Sequence, residues 1–113
     1  DQRGILVNTT TGPALVARNM VAGETALLQV VGANAADVVL FAYSTTGAGP
    51  TTTPYGLADL SMPINQLGTS TADALGTASY SSPLPVWAAG LTVWTQALNL
   101  TTSSFTNNLV NTL

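Results

Sequence analysis

The sequence predicts an all-β fold, a Greek-key β-sandwich of seven to eight strands, on three observations. Charged side chains make up only 6% of the 113 residues, against about 25% in an ordinary soluble domain, and the strong helix formers Glu and Lys are almost absent. The polar remainder is Thr, Ser, Asn and Gly, and β-branched Thr favours strands. Short apolar segments are punctuated by Gly, Pro, Asn and Asp at the spacing of a sandwich. The chain is one domain's worth of protein, 1–113. With 46% hydrophobic residues it can bury about 65% of its unfolded surface.

Residues 5–10 form the first predicted strand, closed by Thr11-Gly12-Pro13, so that residues 1–12 are either an N-terminal arm or a donor strand. Residues 14–19 give a second short strand. Val21-Ala22-Gly23-Glu24 turns into a strand over 25–32, with Leu28 and Val30 on one face and Leu27 and Val31 on the other. Asn34-Ala35-Ala36-Asp37 is the next turn. Residues 38–44 are apolar nearly throughout, which marks a central strand. Residues 45–54 carry two prolines and two glycines, and these forbid a regular ladder. A short strand follows over 55–61 and stops at Pro63. Thr71 to Gly76 is a turn, with the Asp73 side chain accepting from its own backbone, and it leads into a strand over 77–82. Residues 83–90 cross between sheets with room for a single helical turn at most. The clearest strand is 91–100, and the last covers 105–112.

From Pro54 onward the chain resembles a known family. The segments that carry the likeness are Gly56-Leu57-Ala58-Asp59-Leu60, Ala72-Asp73-Ala74-Leu75-Gly76-Thr77-Ala78, Pro83 to Pro85, Gly90-Leu91-Thr92-Val93-Trp94-Thr95-Gln96-Ala97 and Thr106-Asn107-Asn108-Leu109-Val110. They are similar to the small immunoglobulin-like β-sandwich domain of secreted planctomycete-type bacterial proteins, often found at their C-termini. The most specific part is the Val-Trp-x-Gln-Ala strand followed by a late Asn-x-Leu. The resemblance covers about half the chain. It implies an exported, immunoglobulin-like structural module, here expected to stand alone, and it brings no catalytic residues. The opening at Asp1 without Met fits a mature chain freed of its signal peptide, so the expected location is extracellular or on the cell surface.

Composition excludes most chemistry. Asp1, Arg3, Arg18, Glu24, Asp37, Asp59 and Asp73 are all the charges, and there is no Lys, His or Cys. A serine or threonine nucleophile would lack its usual base. Asp59 and Asp73 are the mid-chain candidates for a carboxylate pair, but Asp73 reads as a turn residue and Asp59 as the polar face of a strand. Thiolate metal sites and disulfides are impossible, and a calcium site would have only the turn residues Asp37 and Asp73 to build on. No catalytic residue, metal or cofactor is therefore expected. Two distant arginines cannot neutralise a nucleic acid, and no apolar run reaches membrane-spanning length. Asn8-Thr9-Thr10 and Asn99-Leu100-Thr101 match the N-glycosylation pattern, as chance alone produces in so Asn- and Thr-rich a chain. The threonine runs at 9–11 and 51–53 could accept O-linked sugar.

Two features bear on function. Trp94, in mid-strand, reads as core. Trp87, in a Pro-flanked loop, either packs over the end of the sandwich or stands exposed, and with Tyr55 it is the candidate platform for stacking on a glycan. Meanwhile the segments 4–11 and 105–113 are apolar, β-prone and uncharged, with none of the lysines that normally guard sheet edges. The expectation is a non-catalytic protein that polymerises with itself, Ile5, Leu6, Val7, Phe105 and Leu109 carrying strand pairing or donation. A carbohydrate-binding or adhesion module is the alternative. A monomeric sandwich kept soluble by its threonine hydroxyls is the third reading.

Overall fold

A computed structural model describes residues 14–113. Ten strands lie among them: β1 (Ala14–Arg18), β2 (Thr25–Val31), β3 (Val38–Ser44), β4 (Thr51–Thr53), β5 (Gly56–Ala58), β6 (Asn65–Thr71), β7 (Ala78–Pro83), β8 (Thr92–Asn99), β9 (Ser104–Phe105) and β10 (Leu109–Thr112). The only helical element among the described residues is a 3₁₀ turn at Val86–Ala88, within the crossing over 83–90. The predicted strand over 5–10 lies outside the described residues.

All pairings are antiparallel. One sheet has the order β1-β2-β7; the other runs β10-β8-β3-β6, with β9 also on β8. Alternation along β2 puts Ala26, Leu28 and Val30 inward, and along β3 it puts Val39 and Phe41 inward. Of these, Leu28, Val30, Val39 and Phe41 meet Leu15, Ala72, Ala78 and Ala97 in one cluster drawn from both sheets. Each of its larger members contributes about 1.5–3 kcal/mol by leaving water.

β3 is apolar on both faces because its sheet is covered on both faces. Leu40 and Ala42 point away from the central cluster, towards a third layer made by the β4–β5 hairpin and the segment after it. There Ala58 and Leu60 are buried, Thr51 Oγ1 donates to Leu60 O at 2.6 Å, and the Asp59 N–H donates to Gln96 Oε1 at 2.8 Å. That layer corrects three expectations. Thr51–Thr53 pairs regularly with Gly56–Ala58, since the glycines and Pro50 precede the ladder and Pro54 sits in its turn. The strand over 55–61 shrinks to three residues, which leaves Asp59 exposed in a bend beyond it. Trp94 alternates with Gln96 and Leu98, so it lies half-buried on this outer face and outside the central cluster.

β6 was not anticipated. It is an edge strand with no fully buried side chain, so it shows no apolar alternation. Its register on β3 slips between Phe41 and Ala42, where Tyr80 packs over Gly68. The final strand is split: Thr106 to Asn108 leave the ladder between β9 and β10 to make side-chain contacts.

Candidate functional site

Polar side chains in this protein mostly satisfy backbone. The Asp73 carboxylate accepts from the N–H groups of Leu75 (2.8 Å) and Thr77 (3.0 Å), holding the β6–β7 turn. Asp37 is only 5% exposed. Its Oδ2 accepts from the Asn34 N–H at 3.0 Å and from Asn99 Nδ2 at 2.8 Å, while Asn99 Oδ1 accepts from the N–H groups of Thr101 and Thr102. Asn99 is 2% exposed, so the pattern Asn99-Leu100-Thr101 presents no free amide to a sugar. Asn8 lies outside the described residues. Glu24, Asp37, Asp59 and Asp73 occupy four different loops or bends, and no three His, Cys, Asp or Glu side chains converge among the described residues.

Asn107 makes a contact that sequence reasoning missed. Its Oδ1 accepts from the Leu15 N–H at 2.6 Å, and its Nδ2 donates to Leu15 O at 3.2 Å. One amide side chain thereby imitates a neighbouring strand against the outer edge of β1, joining the edge of one sheet to the loop before β10 of the other. The late Asn-x-Leu motif was the sequence signal at this place, but spacing could not supply the partner.

Two apolar hollows stand out among the described residues. The outer one, about 230 Å³, lies between the hairpin layer and β3 and β8; Leu40, Leu98, Phe105, Pro54 and Tyr55 line it. The end cavity, about 190 Å³, opens between the two main sheets, with Leu28, Tyr43, Leu67, Val93 and Trp87 in its lining. Trp87 is 79% exposed at that opening, and Val86 beside it is 77% exposed. Val86 packs towards the Gly23 turn.

The predicted site residues are thus dispersed. Ile5, Leu6 and Val7 lie outside the described residues. Phe105 turns into the outer hollow with Tyr55, and Leu109 is half-buried against the central cluster from β10. Trp87 belongs to the other cavity, so Trp87 and Tyr55 form no shared platform. No family model, curated protein or solved structure matches this chain.

The placement of charge is the most distinctive property of the molecule. Among the described strands Arg18, the last residue of β1, is the one charged residue. β6, β7 and β10, each at the edge of a sheet, carry none. Among the described residues β10 pairs with β8 alone, and its Val110 is exposed.

Proposed function

We propose that this chain is a non-catalytic structural module of the cell exterior that assembles with copies of itself, through sheet edges and its apolar N-terminal segment, into a filament or surface layer. The observation that carries this reading is the uncharged state of β6, β7 and β10. Unpaired strand edges recruit other chains unless charge, proline or a cover intervenes. With a net charge of −3, little long-range repulsion opposes contact. The scaffold is read as an immunoglobulin-like Greek key. The order β1-β2-β7 facing β6-β3-β8-β10 supports this, because the chain changes sheet after β2, after β6 and after β7, in the manner of immunoglobulin-type sandwiches.

The exposure of Trp87 favours a second reading, carbohydrate binding by stacking on the indole, with Tyr55 as a separate contact. Light scattering beside electron microscopy of the purified chain decides between them. Filaments or large regular oligomers are expected. A stable monomer of 11.5 kDa would remove the assembly reading, and a shift of tryptophan emission on adding glycans would then support the second.

A further inference from the structure

The end cavity is a slot with one wall from each main sheet. Leu28 and Met20 come from the β1–β2 side, and Tyr43 and Val93 from the opposing sheet. Apolar side chains dominate its lining, Tyr43, Thr45, Ser82 and Thr95 add hydroxyls, and among the described residues no Asp, Glu, Lys or Arg contributes. The rim is apolar as well, with Trp87, Val86 and Leu91 exposed. A large exposed aromatic at the mouth of an apolar slot is the typical anchor of a protein contact.

Resting on the assembly reading above, we propose that this cavity receives the segment Ile5-Leu6-Val7 of a second copy of the chain. Charge is compatible with this occupant: residues 4–11 carry no charged side chain, and the lining offers no counter-charge. Shape agrees, because an extended segment presents side chains alternately to both faces, and Ile5, Leu6 and Val7 are apolar on each, as a slot between two sheets requires.

The position of Ala14, at the end of the sandwich remote from the cavity, favours an intermolecular contact. β1 begins at Ala14, which pairs with Val31, whereas the cavity is lined by Ala26 and Ser82, which pair with each other at the other end of the sheet. Five residues of strand, about 17 Å, separate the two levels. The eight residues from Leu6 to Ala14 span at most about 29 Å when extended. A neighbour stacked end to end presents its cavity directly to this segment, whereas the chain's own cavity requires it to double back along the body. Donor and receiver are then different surfaces at opposite ends, an arrangement that does not close and propagates into a filament.

The absence of native cysteine allows a direct test on the full chain. Isotope-labelled Leu6→Cys protein is mixed under mild oxidation with unlabelled Leu91→Cys protein, or with Leu75→Cys as control, and the disulfide-linked mixed dimers are weighed. Leu91 lines the cavity; Leu75 is exposed in the Asp73 turn. A docked segment raises the effective concentration to the millimolar range, so the expected excess of the Leu91 product over the Leu75 product is about tenfold or more. Equal yields overturn the proposal. If light scattering still finds large oligomers in that case, the receiving site is wrong and the assembly reading stands. If only monomer is found, both fall. A Leu6→Cys/Leu91→Cys double variant that closes within one chain also overturns the docking in trans. In the chain without introduced cysteines, Trp87→Ser is expected to reduce oligomer mass severalfold while leaving the circular dichroism of the monomer intact; unchanged oligomers would again exclude this cavity.

Discussion

Asp37 and Asn99 form a buried polar junction, tying the start of β3 to the end of β8 through a carboxylate almost sealed from water. Replacing Asp37 with Ala would strand the Asn34 N–H and the Asn99 amide. Hydrogen bonds to a charged acceptor contribute about 1.5–3 kcal/mol each, so a loss of about 3 kcal/mol is expected in urea unfolding. Asp37→Asn keeps one oxygen able to accept both bonds and is expected to cost only about 1 kcal/mol. Equal losses would mean that the charge of the carboxylate, and not an accepting oxygen alone, holds the junction. At this scale the sequence was readable where a side chain serves its own turn. The role of Asp73 follows from position alone, as the bonds to Leu75 and Thr77 bear out. It was unreadable where the partner is far away: Asn107 and Leu15 are 92 residues apart, and the Asn-x-Leu spacing marks Asn107 without naming what it binds.

Among the elements, strands with a buried face announced themselves and strands without one did not. β2, β3 and β8 were legible because their apolar residues recur at every second position or fill both faces. β6 was hidden because its seven residues offer one large apolar side chain, Leu67, beside Gly68. That glycine is nevertheless what seats the strand. A Cβ there would lie 2.9 Å from Cε2 of Tyr80, whose ring packs on Phe41 with centroids 5.7 Å apart and whose hydroxyl donates to Leu67 O at 2.8 Å. Gly68→Ala is expected to cost about 2 kcal/mol by overpacking. Tyr80→Phe, which loses only the hydroxyl, is expected to cost about 1 kcal/mol. Thermal unfolding of the two variants checks the order; a harmless Gly68→Ala would show that Tyr80 moves freely. The β4–β5 hairpin was missed for a different reason. Its prolines and glycines do forbid a long ladder, but three threonines between them suffice for a short one.

Across the whole molecule, composition revealed the class of object and could not reveal its layers. The end cavity gathers residues from Met20 to Leu113, so no window of sequence contains it. The near absence of charge, by contrast, was readable at once. Lysine on an edge strand is a standard guard against pairing. Gln66→Lys in β6 and Val110→Lys in β10 are therefore expected, together, to lower oligomer mass in light scattering without altering the fold. Since so few charges are available to be screened, oligomers formed as proposed should change little when the salt is raised from about 0.01 to 1 M. Strong dissolution by salt would point to ion pairs as the cohesive contacts.

The two ends of the described chain have a mechanical meaning. Ala14 lies at one end of the sandwich, and Leu113, in the lining of the end cavity, at the other. A pull applied at both runs lengthwise along the strands, so that the β1–β2 and β8–β10 ladders are loaded in shear, with several hydrogen bonds strained together. Unzipping would break them one after another. Asn107, clasping Leu15 across the seam, couples the first of these strands to the approach to the last, so neither peels away without straining the other. A fibre built from such units would resist tension through its ladders, and its endurance under load would be set by the rate at which a single unit shears open.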